Sequence, residues 1–461
     1  MSAISYKPYL QMKNTGEKWL GEIPVHWDCL NGKRLFRSVR KSAYSSDEQL
    51  AASQKYGVVP QSLMMQLNDA KVMLALKGTE SFRHVEKDNF VISLRSFEGG
   101  IEHSNYVGCV SPAYTVLEPA GGLVKPTYYK YLLKSNPYIS ALQASTDSLR
   151  DGKSISYDQF GRIQLPVPEL AEQLDIARFL DHETTKIDTL IEKQQQLIKL
   201  LKEKRQAVIS HAVTKGLNPD APMKDSGVEW LGEVPEHWSV VPLRHITPEV
   251  TVGIVVTPAK YYVDNGIPCF RSLNVKENSI EERDFVYISK ASNSDLIKSQ
   301  VFQGDILVVR SGQPGKAAVV LAKHDGYNCI DLIIIRKSKK IISDFLCYQI
   351  NSDVCKKQIS SGSGGAIQQH FNVELAKGLY VTFPPLEEQM EISKYIMKQI
   401  KAFDSLVKKA EMSIDLMKER RSALISAAVT GKIDVRNWKP QSSANKQPKT
   451  TTEPVAIPAA H

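Results

Sequence analysis

The sequence lacks closely spaced cysteines and long apolar runs. Its six cysteines are scattered over 461 residues, and no two of them form a C-x-x-C pair. Zinc ribbons and thioredoxin-like redox sites need such pairs, so the spacing favours reduced, buried thiols. No stretch of about 18 apolar residues occurs, and the N-terminal residues carry no apolar signal-peptide core. We therefore expect a cytoplasmic protein without a metal site.

Motifs for nucleotide and methyl-donor chemistry are missing as well. Residues 312–317 approach a phosphate-binding loop but are too few and lack the hydroxyl that would hold magnesium. No glycine-rich turn follows a predicted strand in the pattern that a methyl donor needs. Residues 383–386 lack the leading Asp or Asn of an amino-methyltransferase motif, and their prolines fit a helix start. His26 and His237 stand beside tryptophans and are expected to be packed, so we predict no active site.

The chain does carry an excess of basic residues. There are 59 Lys and Arg against 50 Asp and Glu, which gives a formal net charge of +9. This excess favours a polyanionic partner, because Lys and Arg displace the counterions that surround phosphates. The charge alone does not identify that partner. The length is sufficient for two or three domains with their own cores.

The sequence contains two copies of one repeated unit. Residues 14–27 match residues 225–238 at eight of 14 positions, including both tryptophans and a Gly-Glu-x-Pro-x-His core. A second match, between 165–214 and 381–430, has 19 identities in 50 positions without a gap. The inserts between these matches, 28–164 and 239–380, have similar lengths but little common sequence. The order is therefore a short motif, a variable domain and a long helix, followed by the same again.

The inserts contain short β-branched and aromatic runs broken by Gly, Pro, Asn and Asp, which predicts a mixed α+β fold. We expect strands at 90–94, 114–117, 305–309 and 329–335, and helices near 127–142 and 344–359. The predicted parts are an N-terminal motif (1–27), a first variable domain (28–168), a first long helix (169–215), a linker with the repeated motif (216–238), a second variable domain (239–384), a second long helix (385–431) and a largely disordered tail (432–461).

The two long helices are predicted from runs that contain neither Gly nor Pro. Pro168 and Pro385 stand where the helices can begin, and Gly216 and Gly431 stand where they should end. Each helix would be about 65 Å long at roughly 1.5 Å per residue.

Apolar residues recur along both runs at alternating spacings of four and three. This 3.5-residue period indicates a coiled-coil seam, and an intramolecular pair of helices is the simplest arrangement. Helices that dock only on their own domains are the alternative, although a wider apolar stripe is then expected. Two arginines on the seam could extend to solvent or pair with acidic groups of a partner subunit. The seam consists of Leu180, Thr184, Ile187, Ile191, Gln194, Ile198, Leu201, Arg205, Val208 and Ala212 in the first run, and of Ile396, Ile400, Phe403, Val407, Ala410, Ile414, Met417, Arg421, Leu424 and Ala428 in the second.

Polar, glycine-containing loops recur at matching places in the two variable domains. Their Arg, Lys, Gln, Asn and Ser side chains suit contacts with base edges or phosphates, although such residues are also common in solvated turns. The DNA-binding candidates in the first domain are Arg95, Ser96, His103, Asn105, Arg150, Lys153 and Ser154. Those in the second are Arg271, Asn274, Lys276, Arg310, Ser311, Gln313, Lys316, Gln368, Gln369 and His370.

The combination of motifs resembles the specificity subunits of type I restriction–modification systems, the HsdS family. The resemblance is carried by EWLGEVPEHW at 229–238, by PPLEEQ at 384–389 before the second long helix, and by AVTG at 428–431 where that helix ends. The first copies depart slightly, with EKW at 17–19 and a single proline in 167–173. The resemblance covers about residues 15–435, both repeats included.

Membership in this family implies a non-catalytic subunit. Each variable domain would be a target recognition domain that reads one half of a split, asymmetric DNA site, and the long helices would form an antiparallel coiled coil that sets the gap. Two modification subunits carrying S-adenosylmethionine would dock on the repeated regions, and restriction subunits using ATP and Mg would join them. The alternatives are a specificity subunit with a fused methyltransferase–nuclease partner, a methyltransferase or nuclease in its own right, and a coiled-coil scaffold that does not bind DNA.

Overall fold

The computed structural model describes residues 6–68, 81–145, 155–362 and 371–440. The chain divides into two compact units. The first unit contains the residues up to 193 together with those from 413 onward, and the second contains 194–412. Each unit holds one variable domain, one copy of the short motif and a part of each long helix. Helices and strands are mixed in both units, which confirms the predicted α+β class.

The long helices span Leu170–Lys215 and Leu386–Val429, within two residues of the predicted bounds 169–215 and 385–431. Both end at a glycine in the left-handed region, Gly216 with φ 76° and Gly431 with φ 71°. An L side chain is strained in this conformation, so glycine stops the helix at low cost. Space is also short there, since a Cβ on Gly431 would lie 2.3 Å from Pro24 Cδ of the motif in the first unit.

Each unit contains an antiparallel four-stranded sheet of the same topology. In the first unit the strand order is Phe36–Val39, Thr115–Pro119, Phe90–Ile92 and Glu102–His103. In the second unit it is Val250–Val252, Leu332–Ile335, Ile306–Val309 and Ala317–Val319. The central strands Phe90–Ile92, Ile306–Val309 and Leu332–Ile335 are apolar and buried, whereas Thr115–Pro119 is buried only at Val116 and Leu117.

The predicted strand 329–335 is wrong as a single element. Asp331 has φ 51° and divides the run into Asn328–Cys329, which pairs parallel with Ile267–Phe270, and Leu332–Ile335 in the four-stranded sheet. Apolar composition could not reveal this break, because it results from a left-handed residue between two sheets.

The predicted helices near 127–142 and 344–359 are each split into two. In the first unit they are Pro126–Leu132 and Asn136–Ala144, and Pro137 in the first turn of the second helix accounts for the break. In the second unit they are Ser343–Ile350 and Asp353–Gly362. The two units therefore share this helix pair as well as the sheet.

The other elements are short. The remaining α-helices are Gly32–Leu35, Gln61–Asn68, Ser96–Gly99, Tyr157–Arg162, Lys290–Asp295 and Val373–Gly378. The remaining strands pair as Met12–Asn14 with Glu22–Pro24, Asp28–Asn31 with Gln164–Val167, Leu50–Ser53 with Gly57–Pro60, Arg83–Val85 with Gly108–Val110, Met223–Asp225 with Glu233–Pro235, Ser239–Pro242 with Tyr380–Phe383, Val275–Lys276 with Ser279–Ile280, and Val286–Ile288 with both Tyr262–Val263 and Ile267–Phe270.

Segments of the two long helices pack antiparallel within each unit. In the first unit Arg421 donates from Nε and Nη2 to the Asp188 carboxylate at 2.9 and 3.1 Å. In the second unit Arg205 Nη1 lies 3.2 Å from Asp404 Oδ1. The two pairs occupy equivalent positions of the repeat. Arg205 and Arg421 thus pair with acidic residues of their own chain, an outcome that neither sequence interpretation included.

The seam residues of both helices are buried or half-buried, whereas their neighbours along the helix are mostly exposed. In the first unit Leu180, Ile187 and Leu424 belong to the same core as the domain. In the second unit Ile396 does so, with Ile400 packed against it. Helix pairing and docking on the domain therefore occur together, and the two sequence interpretations do not exclude each other.

The first part of the predicted disordered tail is packed in the first unit. Val435 is buried, and the Trp438 ring lies 5.3 Å from that of Phe179. The Asp434 amide donates to the Lys7 carbonyl at 2.8 Å. Residues 432–440 therefore belong to this unit, and the rest of the predicted tail, 441–461, lies outside the described residues.

Candidate nucleic-acid interface

The repeated motifs form a structural joint in each unit. In the first unit His26 Nε2 lies 2.9 Å from Glu172 Oε2, and the Tyr9 hydroxyl donates to Glu172 Oε1 at 2.6 Å. In the second unit His237 Nε2 and Trp238 Nε1 each lie 2.9 Å from Glu388 Oε2. A glutamate in the first turn of each long helix thus holds the short motif, as charge-assisted hydrogen bonds allow. The expectation that both histidines are packed is met only in part, because their side chains are 34% and 52% exposed and each contacts a glutamate.

The glutamine after each of these glutamates fixes a second segment. Gln173 accepts from the Lys125 amide at 2.8 Å and donates to the Leu123 and Pro168 carbonyls at 2.9 Å. Gln389 accepts from the Ile342 amide and donates to the Pro384 carbonyl in the same way. Both side chains are fully buried, so the Glu-Gln pair connects the long helix to the motif and to the short-helix pair.

In the second unit, three chain segments leave the sheets at one place, around Ile330 and Asp331. The Ile330 amide donates to the Phe270 carbonyl at 2.8 Å, and the Asp331 amide donates to the Ile254 carbonyl at 3.1 Å. Arg310 follows the strand Ile306–Val309, whose last residue pairs with Leu332. Residues 254–257, 271–274 and 310–316 therefore lie together at one edge, which we call the strand-end edge of the second unit.

Arg310 is oriented by a carboxylate at this edge. Its Nη1 donates to Asp331 Oδ1 at 3.0 Å, and Ser311 Oγ lies 3.4 Å from Asp331 Oδ2. The Arg310 Nε is buried without a hydrogen-bond partner among the described residues. Gln313 is exposed and Lys316 is half-buried in the same loop.

The other candidates in the second unit differ in accessibility. Asn274 is fully buried, and its amide donates to the Glu281 and Arg283 carbonyls at 3.0 and 2.7 Å. It therefore stabilises a turn, and the proposed interface does not include it. Arg271 donates from Nη2 to the Asp284 carbonyl. Lys276 lies 3.3 Å from a Glu281 carboxylate oxygen and is partly exposed.

The candidates of the first unit are also divided between surface and interior. Arg95 is exposed, 3.9 Å from Glu98, and Asn105 is exposed in the turn after Ser104. Ser96 is buried and accepts from the Ser93 amide at 2.8 Å, so it caps a turn. His103 is nearly covered and lies 3.0 Å from Asp88 Oδ1. Burial lowers the pKa of His103 despite this carboxylate.

Comparison with known proteins gives a consistent assignment. No protein-family model matches the chain. The type I restriction enzyme MjaVIII specificity subunit of Methanocaldococcus jannaschii is 23% identical over 431 residues, which cover 90% of this chain and 95% of that relative. The EcoBI specificity subunit of Escherichia coli is 27% identical over 314 residues, 66% of this chain and 65% of that relative. A solved chain described in terms of complex assembly and conformational transition of the type I restriction–modification system has the same fold, with TM-score 0.68, 15% identity and coverage of 89% of this chain and 99% of that one.

Over nearly its whole length the chain is similar to specificity subunits of type I restriction enzymes, the HsdS family. Its role is that of a specificity subunit, which is a non-catalytic part of a type I restriction–modification complex. Within the described parts of this chain, no group of three or more His, Cys, Asp and Glu side chains could hold a metal ion. Among the helices described, none has the length and apolar character needed to cross a membrane.

Sequence reasoning missed several exposed or half-buried residues near the ends of the sheet strands. In the first unit, Arg40 follows the strand Phe36–Val39, and Arg83 bridges to Ser42. Burial, and then the charge of Arg40, lower the pKa of Arg83. No carboxylate among the described residues pairs with either arginine, so the two favour an anionic ligand such as a phosphate.

In the second unit, the missed residues are apolar. Val255 and Val256 follow Ile254 at the strand-end edge and are 44% and 71% exposed. Exposed valines give no recognisable signal in sequence, because similar Val-Val pairs occur within buried strands. Six other candidates, Arg150, Lys153, Ser154, Gln368, Gln369 and His370, lie outside the described residues.

Proposed function

We propose that this specificity subunit reads a bipartite, asymmetric DNA site, with one half-site bound by each unit. The observation that carries the proposal is the shared topology of the two units combined with their different surfaces. The equivalent strands Phe90–Ile92 and Ile306–Val309 each lead into a loop with an arginine, Arg95 or Arg310. The residues around these arginines differ between the units, so two unlike half-sites are expected.

The long helices suit a role in setting the gap between the half-sites. They contain 46 and 44 residues, which corresponds to roughly 65–70 Å at about 1.5 Å per residue. Two readers on one face of B-DNA are separated by about 34 Å or a multiple of it. We propose that the paired helices act as the ruler, and that their length determines the number of unread base pairs.

The long helices also carry exposed apolar residues outside the seam. In the second unit these include Leu197, Leu200, Met390, Met397 and Leu406. Exposed apolar side chains in such number on a helix surface favour a protein partner. We propose that two modification subunits dock on the helices and supply S-adenosylmethionine, and that restriction subunits supply ATP- and Mg-dependent translocation and cleavage in a cytoplasmic complex.

Genome-wide methylation mapping tests this proposal. A strain that expresses the chain with its modification subunits should methylate one bipartite sequence with a fixed gap, and a strain without the chain should not. Methylation of a single continuous sequence would contradict the bipartite proposal.

The other candidate functions are separated with purified protein. The chain alone should transfer no labelled methyl group to DNA, whereas a methyltransferase in its own right would do so. A gel shift with and without modification subunits separates a DNA reader from a protein scaffold. If the partner is a fused methyltransferase–nuclease, cleavage should need no separate restriction subunit.

A further inference from the structure

The strand-end edge of the second unit combines one oriented arginine with two exposed valines. We propose that Arg310 reads a guanine in the half-site of this unit, and that Val255 and Val256 contact the methyl group of a thymine. This inference rests on the proposed function, because it assigns base chemistry to one of the two readers.

The loop that carries Arg310 has a fixed backbone. The Val309 amide donates to the Lys316 carbonyl at 2.8 Å, and the Gly315 amide donates back to the Val309 carbonyl at 3.0 Å. Gly312 and Gly315 have φ 83° and 91°, a region that favours glycine. A closed loop of this kind positions the arginine before DNA arrives and reduces the entropy lost on binding.

The carboxylate beside Arg310 favours a base over a phosphate as its ligand. The Arg310 side chain is 29% exposed and that of Asp331 is 48% exposed, so both groups face the surface that DNA would approach. A phosphate placed at Arg310 would also meet the negative charge of Asp331. The guanine edge is neutral and presents two acceptors, N7 and O6, that match an arginine fork.

Arg310 retains donors for such a contact. Asp331 accepts from Nη1, and no described residue accepts from Nη2. Nε faces the interior, so the end of the guanidinium, with Nη2 and the second hydrogen of Nη1, is the part available to guanine. Asp331 is thus a positioning residue for this contact.

The two valines account for the proposed thymine contact. They begin directly after Ile254, whose carbonyl accepts from the Asp331 amide, so they extend from the position that orients Arg310. In the major groove, an apolar side chain distinguishes thymine by its C5-methyl group. In the first unit the chain leaving the equivalent strand begins with Arg40 and Lys41. The thymine contact is therefore specific to the second unit.

The test uses the complex of this chain with its modification subunits and a library of DNA duplexes. Exchange of residues 28–164 first identifies which half-site belongs to the second unit. That half-site should contain a G·C pair whose replacement reduces methylation. Arg310→Ala should reduce the preference for G·C by about 10- to 100-fold at that position alone. Arg310→Lys, which keeps the charge but lacks the fork, should lose most of it too. Arg244→Ala, an exposed arginine elsewhere in the unit, is the matched control and should leave the preference unchanged.

Duplexes with deoxyuridine in place of thymine test the valines, because uracil lacks only the methyl group. The parent complex should methylate the thymine duplex faster, and Val255→Ala with Val256→Ala should reduce this difference. The guanine assignment is wrong if the half-site of the second unit contains no G·C pair. It is also wrong if the Arg310→Ala complex keeps the parental preference. Equal methylation of both duplexes overturns the thymine assignment. If the parent complex methylates no bipartite site, the proposed function itself fails. Unchanged recognition of the first half-site by the variant complexes shows that the variants are folded.

Discussion

At the residue scale, the most consequential side chains described are the two glutamates that hold the repeated motifs. Glu172 is buried and accepts from Tyr9 while contacting His26, whereas Glu388 is partly exposed and contacts His237 and Trp238. Burial together with the Glu172 carboxylate raises the pKa of Tyr9, so this hydroxyl remains a donor.

We expect Glu172→Gln to reduce the free energy of unfolding by about 1–3 kcal/mol, because it removes the charged acceptor of the buried Tyr9 hydroxyl. Glu388→Gln should cost less, since water can reach the site and replace the lost interaction. Denaturant unfolding followed by tryptophan fluorescence measures both. Glu169→Gln, at an exposed position beside the same helix start, is the control. An equal cost for all three variants would contradict the role of the buried carboxylate.

Glu102 provides a pH-dependent prediction. Burial raises its pKa, against the opposing effect of the Lys134 ammonium at 2.6 and 2.8 Å from its oxygens. A carboxyl group with a higher pKa in the folded state binds its proton more tightly there. Its contribution to stability is therefore full below the ordinary pKa of 4.5 and is lost as the pH rises through the folded value.

Glu102→Gln removes this titration. The free energy of unfolding of the variant minus that of the parent should therefore increase as the pH rises from about 4 to about 6. Urea unfolding at several pH values in this range measures the difference. A difference that decreases with pH would mean that Lys134 outweighs burial in setting the Glu102 pKa.

At the element scale, the long helices follow the heptad pattern, and their Arg–Asp pairs match across the repeat. Arg421 with Asp188 and Arg205 with Asp404 are partly exposed, so each pair is expected to contribute only about 0.2–1 kcal/mol. Their main effect is on register, because each arginine lies on the seam and has its partner on the other helix.

Removing one heptad from both helices tests the ruler. Deletion of 194–200 together with 409–415 keeps the seam in phase and shortens the pair by about 10 Å. This length corresponds to about three base pairs at roughly 3.4 Å each, so the unread gap should shorten while both half-sites keep their sequences. Methylome mapping reads the gap directly. Replacement of 194–200 by a different heptad of equal length is the control, and retention of the parental gap after the deletion would contradict the proposal.

At the scale of the whole molecule, each unit has the same fold and its own copy of the glutamate joint, but the surfaces of the two units differ. The first presents Arg40 and Arg83 without a described carboxylate partner, and the second presents Arg310 paired with Asp331. This division leads us to expect that each unit determines one half-site independently of the other.

Exchange of residues 28–164 for the corresponding domain of another specificity subunit should change one half-site and leave the other half-site and the gap as they were. The structure supports these boundaries, because the strands Asp28–Asn31 and Gln164–Val167 pair with each other and bring the two ends of the insert together. Methylation mapping checks the result. A change in both half-sites would show that the units do not read independently.

Much of the architecture could be predicted from sequence because it depends on local signals. Helix bounds followed from proline and glycine positions, and the repeat from identities such as Glu172 with Glu388. The break at Asp331 could not be predicted, because its left-handed backbone is imposed by two sheets. The packing of Val435 on the first unit likewise depends on surfaces that are distant in sequence.

The candidate interface could be predicted only in part, for a related reason. Loop composition suggested Arg310 and Gln313, which lie at the surface, and equally suggested Asn274, whose amide is used inside the domain. Arg83 and Val256 gave no signal, since one lies in a strand and the other in an apolar run.

By itself, the sequence determined the tandem repeat, the two heptad helices and the resemblance to specificity subunits, since each of these is encoded in residue identity and spacing along the chain. Only the tertiary structure decided which polar side chains form hydrogen bonds inside a domain and which reach the surface. It also decided that the seam arginines find their carboxylates on the opposite helix. The physical reason is that a hydrogen bond or ion pair depends on distance in space, and residues such as Asp188 and Arg421 become neighbours only after folding.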